Sequence, residues 1–430
     1  MIKALRGTKD ILPDEISLWQ RIEAIGRNIF NIYGYKEIRT PIIEEASLFI
    51  RSIGDATDIV QKEMYVFSDR GNRIIALRPE ATASIVRAYI ENSLFQAGGV
   101  AKLFYIGPMF RSERPQQGRQ RQFYQIGVEA IGSDNPFIDA EVIALSARFL
   151  ECLGVKKFHV KLNSLGCQKD KIRVIEKHKE NFRPYLERLC ETCKNRFDKN
   201  VLRIFDCKED SCKSIAQNIK AESALCDDCA EHFEKVKVGL NAIGVEYTID
   251  NKMVRGLDYY TRTVFEITQE SLGAKDAVCA GGRYNNLVKE LGGKDTPAIG
   301  FAFGMERLAL ALDKAEEVKN ARCKVNTFVA IAGDALYNEA FKLLDSLRMA
   351  GISSEIDYDT KSLKAQMRKA EKLGVKFVII LGEEEFKSNK VVLKDMEKHS
   401  QEEIQLDKLI AELCSRPGLE HSYTKKVVDR

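Results

Sequence analysis

The chain has no long apolar run. Its hydrophobic stretches stop far short of the ~18–20 residues that a membrane-spanning helix needs, so no transmembrane segment is expected. The opening MIKALRGTKDILPDE carries a little positive charge with no apolar core behind it, which argues against a secretory signal. An excess of one charge is also missing. Sixty-seven Lys and Arg against sixty-three Asp and Glu leave +4, too little by itself to announce a nucleic-acid partner. There is no Gly-x-x-x-x-Gly-Lys-Ser/Thr loop, and no Gly-x-Gly-x-x-Gly follows a strand. Any nucleotide bound here must be held by something other than a P-loop or a Rossmann fold. No repeat or low-complexity tract occurs, and 44% hydrophobic residues exclude a disordered chain. The eleven cysteines are odd in number, which argues against a disulfide framework and for a reducing, cytoplasmic setting.

What is present is an ordinary globular composition of 430 residues, enough for two to four domains at roughly 100–200 residues each. Ile22, Ile25, Ile29 and Ile32 recur at helical spacing after Pro13-Asp14, and Gly34 stands where a C-terminal cap belongs. KEIRTPIIE (36–44) alternates like a strand, and Pro41 puts it at an edge, at a bulge or against another chain. A helix is expected to open at Arg78-Pro79-Glu80. KLFYIGPMF, the polar RSERPQQGRQR and QFYQIGVEAIG read as strand, loop and strand, followed by a helix that Gly154 closes. From 166 to 238 the chain turns helical, charged and cysteine-rich. Residues 156–200 hold thirteen Lys/Arg against six Asp/Glu, a local +7. Strands return at TRTVFEI and AGGRY, then a helix near Glu306-Arg307. A charged linker spans 313–324. Beyond it, NTFVAIA, SSEIDY, VKFVIIL and KVVLKDM alternate with helices, predicting a separate α/β domain with a partly parallel sheet and a loose tail after Pro417.

Three segments could carry chemistry. The loop after KLFYIGPMF holds Arg111, Arg114, Arg119 and Arg121, whose guanidinium forks suit phosphate or carboxylate, although a solvated loop has the same composition. Gln125 and Glu129 share a strand face with Phe123, so on a pocket wall they could read a ligand bearing an amine. RGLDYYTRTVFEI places paired tyrosines at the start of a strand, where they are either packing or ligand-orienting hydroxyls. AIGFAFGMERLAL runs from an apolar strand into a helix carrying Arg307.

Together these segments resemble the class II aminoacyl-tRNA synthetases, and among them the histidyl-tRNA synthetase family. GYKEIRTPIIE, FYIGPMFRSERPQQGRQRQFYQIGVEAIG and AIGFAFGMERL look like the three class motifs. RGLDYYTRTVFEI and AGGRYNNL look like the histidine-specific segments, and RGTKDILP and RPEATAS also match. The resemblance covers essentially the whole chain. It implies an α/β fold with an antiparallel catalytic sheet and flanking helices (1–320), interrupted by a helical insertion (166–238). A mixed α/β anticodon-binding domain (325–415) and a tail (416–430) would follow. It further implies histidine activation by ATP and Mg²⁺, transfer to the tRNA for histidine, and a homodimer. By motif position Arg111, Arg255 and Arg307 would be the catalytic arginines. Arg111, Glu113, Arg119, Phe123 and Arg307 would bind ATP. Glu80, Thr82, Gln125, Glu129, Tyr259, Tyr260 and Tyr284 would bind L-histidine, and Gln116 and Arg121 would reach the tRNA acceptor end. Asn285 and Tyr124 depart from residues the family often has.

Two Cys-x-x-Cys pairs, Cys190/Cys193 and Cys226/Cys229, could form one structural zinc site, with Cys207 and Cys212 as substitutes; buried reduced thiols are the alternative. A non-catalytic regulatory subunit of ATP phosphoribosyltransferase is the competing function. Such paralogues usually lose the catalytic arginines and the C-terminal domain, and this chain has both.

Overall fold

Pro13 starts the first helix, where its missing N–H costs nothing, and α1 (Pro13–Ile32) buries Trp19, Ile22, Ile29 and Phe30 along one side. Gly34, at φ +82°, ends it in the expected place. A computed structural model describes residues 2–55, 57–116, 118–205, 207, 209–219, 224–253, 256–269, 272, 277–312, 325–359 and 362–416. The expected 313–324 linker and the tail lie outside them. The chain forms two compact units, Met1–Ala321 and Arg322–Arg430.

The anticipated strand at 36–44 does not form as one element. Proline cannot donate to a ladder, and around Pro41 the segment breaks into β1 (Lys36–Glu37) and β2 (Ile43–Glu45) in different sheets. After α2 (Ala46–Ile53), strands β3 (Tyr65–Ser68) and β4 (Ile74–Leu77) complete a small antiparallel sheet in the order β2-β4-β3. The next helix, α3 (Thr82–Glu91), starts later than Pro79 because Glu80 caps it, accepting from the N–H of Thr82 (2.7 Å) and Ala83 (2.9 Å).

The large sheet is built from β5 (Ala101–Phe110), β6 (Gln122–Ile131), β7 (Phe158–Ser164), β8 (Thr248–Ile249), β9 (Thr261–Gln269), β10 (Ala277–Arg283) and β11 (Ala298–Gly304). Its order is β1-β5-β6-β11-β10-β9-β7-β8, antiparallel except for short parallel pairings of β1 with β5 and β7 with β8. Strand period two divides the side chains. Ile126, Val128, Ile299, Phe301 and Phe303 join the core under α1 and α4 (Pro136–Leu153). Met109, Tyr105, Ile131, Tyr260 and Tyr284 join a second cluster with α3.

Between β7 and β8 run α5 (Gln168–Phe182), α6 (Glu191–Lys199), α7 (Asp210–Asn218) and α8 (Asp227–Ala242). Phe182, Leu189, Val201, Ile204 and Ile215 form a small core of their own with Cys193, Cys207 and Cys212. Helix α8 belongs elsewhere: Phe233, Val236 and Leu240 enter the main core. The rest of the first unit is α9 (Leu287–Glu290) and α10 (Met305–Ala311). The second unit is a five-stranded sheet, parallel on one side and antiparallel on the other, as its alternating pattern predicts.

One fully buried ion pair ties α4 to the end of β10. Arg283 Nη2 lies 2.6 Å from Asp139 Oδ1, and its Nε donates to Oδ2 at 2.9 Å; both side chains are inaccessible to solvent. His232 on α8 meets the same carboxylate at 3.0 Å. Removing one partner strands a charge in the interior. Asp139→Ala should therefore cost about 3–5 kcal/mol in urea unfolding or give no soluble protein. Lys9→Ala, which breaks the exposed Lys9–Glu15 pair, should change stability by less than about 1 kcal/mol.

Candidate functional site

The polar residues expected on the second face of the large sheet do converge. Glu80 and Glu129 are both buried, 3% and 1% exposed. Thr82 Oγ1 donates to Glu129 Oε1 at 2.7 Å, and the Tyr284 hydroxyl donates to Oε2. Tyr259 packs on Tyr260 with ring centroids 4.7 Å apart and on Tyr284 at 5.7 Å. Two carboxyls in an aromatic chamber are costly as anions. Burial, with Glu80 nearby, pushes Glu129 up to about 8; burial raises Glu80 too, against the pull of its two N–H donors.

Space for Glu129 comes from its neighbour across the ladder. Glu129 faces Gly300 on β11, and a Cβ at position 300 would lie 1.8 Å from Glu129 Oε2. Gln125 lies on the same face between Gly107 and Gly304, and its buried carbonyl oxygen finds no hydrogen-bond partner among the described residues. A ligand N–H would satisfy it. The glycine register was not apparent from the sequence. The four-residue spacing of Gly300 and Gly304 matches that of Gln125 and Glu129, but it carries meaning only once the strands are known to pair. Tyr105 was also missed; it is buried on this face, and a Cβ on Gly127 would meet its hydroxyl at 2.7 Å.

Arg111 stands beside this chamber. Its Nε donates to the Pro79 carbonyl at 2.9 Å, and its guanidinium lies 5.2 Å from the centre of the Phe123 ring. The preceding residue, Arg78, is a structural clamp that sequence reasoning passed over. It donates to the carbonyls of Thr40 (2.9 Å) and Pro108 (2.9 Å), while its own carbonyl accepts from Phe110 N–H. Consecutive residues 78, 79 and 80 thus hold the Pro41 bend, Arg111 and the start of α3.

The loop between β5 and β6 closes on itself at Gln116 and Arg119, which exchange backbone hydrogen bonds of 3.1 and 2.9 Å around Gly118 at φ +70°. Arg119 pairs with Glu113 at 3.1 Å. Arg121 N–H donates to the Gly7 carbonyl, so the N-terminal segment braces the loop. The tip approaches α10: a Cβ on Gly118 would lie 3.3 Å from Arg307 Cγ. Arg307 itself donates to the Ala277 carbonyl. Glu306 accepts from Tyr124 N–H at 3.0 Å and burial pushes it up to about 7. Asn285 hydrogen-bonds Asp134 and Arg283 and helps hold the turn after β10. Arg255 lies outside the described residues.

The cysteines do not assemble as the two motifs suggested. Cys190 and Cys193 gather with Cys207 and Cys212, whereas Cys226 and Cys229 gather with Cys167 and Asp170. Among the described residues no cysteine is in a disulfide.

Comparison with known proteins identifies what the chain resembles. A family model described as histidyl-tRNA synthetase matches residues 7–308, and one described as an anticodon binding domain matches 326–416. A histidine–tRNA ligase of Pelotomaculum thermopropionicum is 50% identical over 94% of this chain and 95% of its own. That of Desulforamulus reducens is 48% identical over 96% and 98%. The apo histidyl-tRNA synthetase structure from S. aureus superposes with a TM-score of 0.80 at 37% identity, covering 96% of this chain and 99% of the other.

The carboxyl chemistry sets a pH dependence. Glu129 binds its proton more tightly folded (about 8) than at its ordinary 4.5, so its contribution to stability is complete below 4.5 and lost as pH rises through 8. Glu129→Gln removes that loss. In urea unfolding from pH 5 to 8, the variant should gain on the wild type by about 1.4 kcal/mol per pH unit at most.

Proposed function

The chain belongs to the histidyl-tRNA synthetase family and joins histidine to its tRNA at the expense of ATP; we propose that its substrates meet on the glycine-lined face of the large sheet. The observation that carries this reading is the pairing of two buried carboxyls, Glu80 and Glu129, with Arg111 hydrogen-bonded to the residue between Arg78 and Glu80. That arrangement sets an amine-reading pocket directly beside a phosphate-reading cation.

In the first step a histidine carboxylate oxygen attacks the α-phosphorus of ATP. The bond to the bridging oxygen breaks, and pyrophosphate leaves with the electron pair. Two anions approach one another, so preorganised cations aimed at the phosphates are the main resource. We assign Arg111 to the α-phosphate and Arg307 to the γ-phosphate. Glu113, Arg119 and Phe123 are assigned to the adenine and phosphates. Arg255 is a third catalytic arginine on the strength of its motif alone. Magnesium enters as the ATP complex. Of the acids near this position, Glu113 pairs with Arg119 and Glu306 accepts from Tyr124 N–H, and each keeps carboxylate lone pairs that could meet the ion.

Histidine is read by Glu80, Thr82, Gln125 and Glu129, with Tyr259, Tyr260 and Tyr284 around the ring. An arriving ammonium favours the ionised form of the carboxyls and offsets the burial that keeps them protonated. A hydrocarbon side chain would leave these groups unpaired. In the second step a hydroxyl of the tRNA's terminal adenosine attacks the acyl carbon and AMP departs. Gln116 and Arg121 are assigned to the acceptor end. The regulatory-subunit alternative is disfavoured because the sequence keeps Arg111 and Arg307 and the anticodon-binding match extends over 326–416.

The small sheet turns Ala76 toward α2 and leaves Ile43 and Phe67 exposed on its other face. Exposed apolar side chains on one sheet face suit a contact surface, and we assign that face to a twofold dimer. The Cys190, Cys193, Cys207 and Cys212 thiols are assigned a structural zinc. Among the described residues no helix is long and apolar enough to cross a membrane, and we place the enzyme in the cytoplasm.

Histidine-dependent exchange of labelled pyrophosphate into ATP tests the assignment. Arg111→Ala and Arg307→Ala should each lower exchange by about 10²–10³-fold, the scale of losing one preorganised donor. Lys390→Ala, in the second unit, should leave it unchanged. Absence of exchange by folded wild-type protein would refute the reading. Sedimentation should give a two-chain particle for the wild type and a single chain for Ile43→Glu/Phe67→Glu; a monomeric wild type removes the dimer assignment.

A further inference from the structure

Three helices of the segment between β7 and β8 begin in the same way. Cys167 caps α5 with Asp170 three residues on, Cys190 caps α6 with Cys193, and Cys226 caps α8 with Cys229. Each pair therefore sits at a helix N-terminus, where unpaired N–H groups and the helix dipole favour an anionic ligand. The middle pair joins Cys207 and Cys212. The outer two pairs, 56 residues apart at Asp170 and Cys226, join each other.

We propose that Cys167, Asp170, Cys226 and Cys229 form a second zinc site, separate from the four-thiol site, that staples the start of α5 to the start of α8. The four ligand atoms lie within 4.8 Å of one another, and Asp170 and Cys229 are buried. Tetrahedral zinc with bonds of about 2.3 Å needs ligand atoms about 3.8 Å apart, so small closing movements suffice. In the four-thiol cluster the Cys190 and Cys207 sulfurs already have that spacing, 3.8 Å.

The surroundings are built for such a centre. Asp170 accepts backbone N–H groups from Cys167 (3.2 Å) and Cys226 (3.0 Å), so one carboxylate already bridges the two helix starts. Gly166 makes this approach feasible, since a Cβ there would lie 2.4 Å from Asp170 Cβ. Charge is partly offset. Three thiolates, one carboxylate and Zn²⁺ leave −2, and Arg173 on Asp170 and Arg262, shared between Cys229 and Asp134, stand against it. Such partners around the ligands are what orient and tune a metal centre. Binding releases the thiol protons to solvent and changes no oxidation state.

The location gives the site a purpose. Leu165 and Arg262 bracket it by backbone bonds, Leu165 N–H to Arg262 O and Arg262 N–H to Gly166 O, both 2.7 Å. Arg262 Nη1 donates to Asp134 at 3.0 Å, and Asp134 accepts from Asn285, next to Tyr284. The metal would thus fix the point where the cysteine-rich segment leaves the catalytic sheet and the point where α8 returns to it.

The test is metal content of the full-length chain, purified under reducing conditions and dialysed free of loose ions. Two zinc per chain are expected, with one lost in Cys226→Ala/Cys229→Ala and the other lost in Cys190→Ala/Cys207→Ala. A wild-type content of one or none overturns the second site, as does a Cys226→Ala/Cys229→Ala protein that keeps both ions. Should that variant fail to fold, mercurial titration of the wild type decides. Zinc should leave in two steps as seven protected thiols react; a single step, with Cys167, Cys226 and Cys229 reacting freely beforehand, refutes it. Neither readout depends on catalysis, so failure here and failure of the synthetase reading are separable.

Discussion

The Asp139–Arg283 pair is the constraint on which the site depends. A charge pair sealed from water holds only if its geometry is nearly complete, because little solvent can make up for a misplaced atom. Here it fixes the last residue of β10 against α4. Tyr284 follows immediately, and its hydroxyl is one of two donors that hold Glu129. His232 and Arg262 extend the same network toward α8 and β9. The position of a carboxyl in the proposed ligand chamber is thus set from the opposite face of the sheet.

The chamber itself is a compromise between burial and charge. Aromatic walls exclude water and raise the acids, while Thr82, Tyr284 and the first N–H groups of α3 restrain them. Glycine opposite Glu129 supplies room that no other residue could leave. In the proposed function, substrate charge would complete what these polar groups, in a dry place, only partly compensate by themselves.

Much of this was legible from residue patterns. The periodicity of α1, the strand-loop-strand around the arginine loop and the shared face of Gln125 and Glu129 all appear as read, because each depends on local spacing. What failed depended on long-range partners. The strand through Pro41 broke because its two halves pair with different sheets. Helix α3 starts at Thr82 because the Glu80 carboxylate, and not Pro79, satisfies its first N–H groups. The two Cys-x-x-Cys motifs lie in different clusters because pairing of cysteines follows from the path of the intervening chain, and Asp170 is invisible to a search for cysteines. Gly300 and Tyr105 acquire meaning only through the register of β11 and β6 and the depth of β5.

The tripeptide at 78–80 joins three tasks within one short length of backbone. Arg78 grips the bend at Thr40–Pro41, the Pro79 carbonyl holds Arg111, and Glu80 seats the helix that carries Thr82. The bend adjoins Ile43 and the exposed small sheet. Because these three contacts spring from one run of peptide backbone, a displacement of residue 78 would carry the Pro79 carbonyl and the Glu80 carboxylate with it.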